Sequence, residues 1–259
     1  MSLLRRGIIS SALDSGGAIY SAKAASFNGV DQYFETTSNI SFSGYSSAMS
    51  ISIMIDNDSG ADQRYINAWG GAGGNVFYVE STSSSNLVVN ISGLTFTQTQ
   101  PAGATGWRRI TLVWNGTNLK YYEGSSLVST VDGGGTMPSL SRKVAIGRQL
   151  NTSVVSVGGT GFCALWNSEL TQSDVTALDN SDDSLCYESL GNLQTGLQHY
   201  WYLGNFEGHL SQELTDQAGS NDLINYNTTP FTKTGLNVEC GGSPPVADDY
   251  LFLPNITIY

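Results

Sequence analysis

Hydrophobic and polar residues alternate along much of the chain with a period of two. Met49, Ile51, Ile53 and Ile55 are separated by Ser50, Ser52 and Met54. Successive side chains on a strand point to opposite faces, so this segment predicts a strand with one buried face. Phe77 and Val79 repeat the pattern, then Leu87, Val89 and Ile91, then Ile110, Leu112 and Trp114, then Phe162, Ala164 and Trp166. Turn-forming residues stand between the runs: Asn28-Gly29, Asp58-Ser59-Gly60, Gly70-Gly71, Asn115-Gly116, and Asp132 followed by three glycines. Many short alternating strands joined by Gly-rich turns predict an all-β sandwich or barrel. Helix–strand alternation is missing, which argues against an α/β fold.

One helix is expected after Thr171. Its hydroxyl can accept from a free backbone N–H, Asp174 opposes the positive end of the helix dipole, and Val175 and Leu178 share a face. Asn180 or Ser181 ends it. These signals divide the chain into an N-terminal arm (1–24), a sandwich (25–180), additional strands packed on it (181–240), and a linker with a C-terminal tail (241–259). Within the third segment, residues 197–203 form an aromatic strand and residues 216–223 a loop. The linker Gly241-Gly242-Ser243-Pro244-Pro245 precedes the apolar run Tyr250–Tyr259. Leu3-Leu4 and Ile8-Ile9 make the arm apolar too.

Composition narrows the function classes. Of 259 residues, 40% are hydrophobic, enough for a real core, while charged residues make up only 13%. The net charge is −11, with 11 Lys and Arg and no basic run beyond Arg5-Arg6 and Arg108-Arg109. Nucleic acid binding needs a basic footprint, so it is excluded. The apolar stretch at the start is too short for a signal peptide, and no run of ~18 apolar residues predicts membrane insertion. Three cysteines, Cys163, Cys186 and Cys240, make no disulfide framework and read as small buried thiols.

Several segments together resemble the laminin-G-like, concanavalin-A-like jelly-roll family. Ala25-Ser26-Phe27-Asn28-Gly29-Val30-Asp31-Gln32-Tyr33 is similar to the family's opening strand and turn, and Trp107–Gly116 to its central strand and hairpin. Leu119–Val128 resembles the next hairpin, Ala145-Ile146-Gly147 a short strand ending in glycine, and Gly161–Thr171 the closing strand with its helix cap. Tyr200-Trp201-Tyr202-Leu203, with Asp216 and Gly219, resembles a strand and loop that such domains often carry at their start. Here it follows the closing helix. The resemblance implies a two-sheet antiparallel jelly-roll sandwich with one short helix and terminal extensions. This fold hosts lectins, adhesion modules, capsid parts and glycan hydrolases, so function has to be read from sites.

The hydrolases of the family use a Glu-x-Asp-x-x-Glu strand, and no Glu-x-Asp pair occurs in the chain. Of the two histidines, His199 lies in the aromatic strand and His209 in a polar loop, where structural roles are expected. The Gly70–Gly74 run lacks the lysine of a phosphate loop. Catalytic residues are therefore not expected. Asp56, Asp58 and Asp62 gather oxygen ligands as calcium prefers. Gly60 takes a ligand position and no Glu closes the loop, so a solvated hairpin turn is the competing reading. No cofactor other than calcium is expected. Tyr65, Asn67, Trp69 and Tyr78 could form an aromatic and amide platform for carbohydrate, against core packing, while Trp114 and Trp166 point inward.

A lectin-like fold without a secretion signal suggests a protein made in the host cytosol and released by lysis. The expected function is a non-enzymatic bacteriophage virion protein, a capsid decoration or tail fibre component. It would be held by its arm and tail to other virion proteins, would form a homo-oligomer, and would attach to cell-surface glycans. The alternatives are a secreted bacterial adhesin or carbohydrate-binding lectin acting outside the cell, and a divergent glycoside hydrolase.

Overall fold

A computed structural model describes residues 18–57, 63–69, 75–82, 86–99, 106–148, 156–180, 187, 190–206, 214–227, 229 and 231–240. The strands begin with β1 (Ala18–Asn28), β2 (Tyr33–Thr36), β3 (Ile40–Ser41), β4 (Met49–Asn57), β5 (Gln63–Trp69) and β6 (Asn75–Thr82). They continue with β7 (Asn86–Ile91), β8 (Leu94–Thr99), β9 (Trp107–Trp114), β10 (Asn118–Glu123), β11 (Ser126–Asp132) and β12 (Ser141–Arg142). After β13 (Ala145–Ile146) and β14 (Val157–Trp166) comes helix α1 (Gln172–Asp179). The last strands are β15 (Leu197–Tyr202), β16 (Gly204–Phe206), β17 (Leu223–Tyr226) and β18 (Phe231–Cys240).

Two large antiparallel sheets result. One runs β11-β10-β9-β4-β14-β1-β16, with β15 also beside β14 and β18 beside β1. The other runs β17-β2-β13-β5-β6-β7-β8. Consecutive hairpins such as β6–β7–β8 explain the local order. The Gly-rich turns allow it, and Gly116 adopts φ 84° in the turn between β9 and β10, a backbone shape that a Cβ disfavours.

The core lies between the sheets. Ile51, Ile53, Ile55, Ile110, Leu112 and Trp114 face Phe34, Ile66, Phe77, Val79, Val89 and Ile91 within one cluster of buried side chains. Fully burying each large apolar side chain contributes about 1.5–3 kcal/mol. The expected inward face of β4 is thus found. The Met54 side of β4, expected to be polar, is also buried, and Phe162, Ala164 and Trp166 of β14, expected to face the core between the sheets, lie on that same outer side while Cys163 and Leu165 face inward. Met54, Phe162, Ala164 and Trp166 pack with Val175 and Leu178 of α1 in a second cluster on the outer side of the larger sheet. Both Trp114 and Trp166 are fully buried, but in different cores. Trp166 reaches the 3-10 helix Gly191–Gln194, its Nε1–H donating to the Leu193 carbonyl at 2.7 Å.

Helix α1 starts where its sequence predicts. The Thr171 hydroxyl accepts from the Asp174 N–H at 3.2 Å, and the Asp174 carboxylate accepts from the Thr171 N–H at 2.8 Å, a reciprocal capping box. The chain entering it is clipped to the sheet by buried Ser50. That hydroxyl donates to the Ser168 carbonyl at 2.8 Å and accepts from the Leu170 N–H at 3.0 Å. Such pairing is what permits a polar side chain beneath the helix.

Residues 197–240 supply strands to both sheets. β15 enters the larger sheet next to β14, β17 forms an edge of the smaller sheet beside β2, and β18 pairs with β1. β1 itself begins at Ala18, inside the segment read as an arm. Cys163 is a buried free thiol, its pKa pushed well up by burial and then by the nearby Asp216 charge, which leaves it unreactive. Cys186 and the side chain of Cys240 lie outside the described residues.

Candidate functional site

The residues proposed for a carbohydrate platform separate in space. Tyr65 is 1% exposed and belongs to the core between the sheets. A register shift between Arg64 and Ile66 breaks the period of two, so Tyr65 and Ile66 both turn inward. Asn67 is fully buried, its Nδ2 donating to the Arg148 carbonyl at 2.5 Å and the Ala145 carbonyl at 3.4 Å. Buried like this, neither residue can contact a ligand at the surface. Tyr78 stands opposite Asn67 on the outer face of the smaller sheet, partly exposed, with the Arg64 guanidinium 4.7 Å from its ring centre. Burial, then the Glu80 carboxylate, raises its phenol pKa. The side chain of Trp69 lies outside the described residues.

The proposed calcium ligands separate in the same way. Asp56 is 5% exposed, and its carboxylate accepts from the Gly106 N–H at 3.1 Å, which anchors the turn before β9. Asp58 and Asp62 lie outside the described residues, as does His209. Among the described residues, no group of three His, Cys, Asp or Glu side chains is placed to hold a metal ion.

His199, read from sequence as a structural residue, lies in a polar constellation built around Asp216. β15 carries it beside the 214–222 loop, where its Nδ1 lies 2.6 Å from Asp216 Oδ2. Its ring stacks parallel to Trp201, the ring centres 5.2 Å apart, and the Trp201 Nε1–H donates to the Asn221 carbonyl at 2.9 Å. Asp216 Oδ1 accepts from the N–H groups of Tyr200, Ala218 and Gly219, and its Oδ2 from that of Asn221. Burial pushes the Asp216 pKa up. The hydrogen bond and charge of His199, joined by the Tyr200 and Asn221 N–H groups, outweigh it and hold the carboxyl below its ordinary range.

Gly219 makes this closeness sterically allowed. A Cβ there would lie 2.5 Å from Asp216 Oδ2, 2.7 Å from the Gln198 carbonyl oxygen and 3.0 Å from His199 Nδ1. Asn221 then ties the loop to the chain leaving β2. Its Oδ1 accepts from the Thr37 hydroxyl and the Ser38 N–H, and its Nδ2 donates to the Ser38 carbonyl at 3.0 Å.

A cleft of about 330 Å³ opens over this joint, at the lower end of the size range of small-molecule sites. Ile40, Tyr45, His199 and Asn221 form its buried or half-buried side. The exposed rim includes Ser38, Asn39, Ser41, Asn167 and Ser220, with Gln198 half-buried. The Tyr45 hydroxyl is buried with no hydrogen-bond partner among the described residues. Burial, then the Asp216 charge, pushes its pKa far up, so it stays protonated.

The chemistry of this site is hydrogen bonding. His199 meets Asp216 through Nδ1, and that contact ties β15 to the 214–222 loop. The Asp216 carboxylate accepts four N–H bonds and the His199 contact, which fasten a loop. Sequence reading missed the cleft because Ser38 and Asn39 join two strands and Tyr45 ends the 3-10 helix Phe42–Tyr45, segments too short to show a period. The signal that existed was Asp216 and Gly219 following the His199–Trp201 strand.

Searches of protein-family models and of curated proteins found no match. Solved structures do match. A Bacteroides ovatus protein assigned provisionally to carbohydrate binding superposes with a TM-score of 0.56 at 15% identity, covering 78% of this chain and 58% of its own. The native heptameric SAP-like pentraxin of Limulus polyphemus gives 0.47 at 15% identity, over 65% of this chain and 84% of its own. The CBM40 of the Ruminococcus gnavus IT-sialidase gives 0.45 at 15% identity, over 63% and 99%. The chain thus spans little more than half the length of the Bacteroides protein. That superposition and the sheet order identify the fold as a concanavalin-A-like jelly-roll sandwich.

Proposed function

We propose that the chain is a non-enzymatic, lectin-like module on the surface of a bacteriophage virion, a capsid decoration or tail component that attaches to host glycans. The observation that carries the binding role is the cleft, where amides and hydroxyls surround a His–Asp pair committed to holding a loop. The Bacteroides ovatus protein that shares the fold is assigned provisionally to carbohydrate binding, in line with this reading. The pairing of Ala18 with Cys240 supports the anchoring role, since the two residues that border segments 1–17 and 241–259 are adjacent in the sheet.

Mass spectrometry of purified particles tests the virion role. Removing residues 1–17 or 241–259 should leave a folded sandwich and abolish its incorporation. If both truncated chains still load onto particles, anchoring through the ends is refuted. Glycan binding without any particle association would assign the chain to secreted lectins instead.

A further inference from the structure

We infer that His199 is a ligand-contacting residue of the cleft and that its Nε2 takes a hydroxyl group of an uncharged sugar. This rests on the lectin-like reading above and adds a contact atom and a chemical group to it. His199 lines the cleft, and 14% of its side chain is exposed. Its backbone is enclosed between Leu165 of β14 and the Asp216 loop, so the ring is what it turns to the cleft. One face of the ring covers Trp201, and Nδ1 meets Asp216. The exposed remainder is the Nε2 edge and the second face. Nε2 makes no hydrogen bond among the described residues. Unlike the buried Tyr45 hydroxyl, it keeps surface that a molecule in the cleft can reach.

The pairing with Asp216 selects the group. Against burial, His199 and the backbone N–H groups hold the Asp216 carboxyl ionised, so it can only accept, and Nδ1 carries the hydrogen between the two. Nε2 is then a bare acceptor while the ring is neutral and an N–H donor when the ring is charged. A carboxylate or sulfate suits only the charged ring, and an ammonium only the neutral one. A hydroxyl donates and accepts, so it bonds to both. The rest of the lining agrees. No Lys or Arg lines the cleft, so an acidic sugar would lose hydration without gaining a fixed counter-charge. Asn39 and Asn167 bring exposed side-chain amides, which also pair with hydroxyls. The Asp216 contact, the Trp201 stack and the missing Cβ at Gly219 fix the ring before a ligand arrives, so little ordering is left to oppose binding.

The full chain, applied to immobilised oligosaccharides ending in glucose, galactose, mannose or N-acetylglucosamine and to sialylated and sulfated counterparts, tests the assignment. Binding is expected on the neutral set. His199→Asn keeps an N–H donor near the Nδ1 position and has no atom at Nε2. It should weaken neutral binding about two- to tenfold, the worth of one hydrogen bond. Heteronuclear NMR of the histidine ring nitrogens gives a second reading that does not need this variant to fold. The chain has 2 histidines, and His209→Gln leaves the ring signals of His199 alone. Adding the best-bound neutral oligosaccharide should shift the Nε2 resonance and leave Nδ1 nearly in place. Neutral binding with Nε2 unmoved, neutral binding unchanged in His199→Asn, or binding confined to acidic glycans overturns the His199 assignment and leaves the lectin reading standing. No binding to any glycan overturns both.

Discussion

Ala18 and Cys240 are cross-strand partners at the open end of the β1–β18 ribbon. The last strand of the sandwich therefore ends where the first begins. The strand and loop that resemble a family's opening follow the closing helix here, yet β15 still lies beside β14 and β17 beside β2. A chain joined from Cys240 to Ala18 by a hairpin of about four residues, and opened between Asn180 and Leu190, should fold to the same sandwich. Circular dichroism and a single cooperative melt would check it. An aggregating or molten product would mean that the β1–β18 closure is needed late in folding and not only in the final state.

Much of the sandwich was legible because one of its forces has a simple period. Alternation located β4, β6, β7, β9 and β14. Alternation does not tell which core a strand's apolar face joins where both faces are covered, so Met54 is buried against expectation and Phe162 packs toward α1 and not between the sheets. Tyr65 was unreadable for another reason, a register shift that no local residue signals. The His199–Asp216 contact joins a strand to a loop in the folded chain. Residue types at that separation do not distinguish a structural joint from unrelated polar positions.

Asp216 makes stability depend on acid. Its pKa is lowered in the folded chain, by His199 and backbone N–H groups acting against burial. The carboxyl therefore contributes stability that is fully present above its unfolded pKa of about 4 and is lost as pH falls through the lower folded value. Denaturant melts from about pH 7 down to about pH 2 should show this decline. Asp216→Asn should lose about 2 kcal/mol or more at neutral pH and flatten the acid limb, because charge-assisted hydrogen bonds are the stronger kind. An unchanged acid limb in that variant would assign the decline to other carboxylates.

Ser50 is predicted to matter more than its size suggests. Ser50→Ala strands the Leu170 N–H and the Ser168 carbonyl beneath α1, costing about 1–3 kcal/mol. Ser52 offers a contrast. Among the described residues its hydroxyl bonds only to that of Thr111, at 3.2 Å. Changing both, Ser52→Ala with Thr111→Val, removes donor and acceptor together and should be close to neutral. Urea melts of the two variants would separate the cases, and equal losses would refute the difference in pairing.

Gly219 links stability to the cleft. Its missing Cβ is what lets Asp216, the Gln198 carbonyl and His199 converge. Gly219→Ala must push at least one of them away, at a cost of about 1–3 kcal/mol for overpacking. The displaced groups carry the cleft's inner side, so saccharide binding should fall with stability. Thr171→Ala is the control. It removes the helix cap for about 1 kcal/mol but touches nothing in the cleft. Measured well below both melting temperatures, the Thr171 variant should bind normally and the Gly219 variant should not. Equal binding by the two would mean that the loop held by Asp216 does not shape the site.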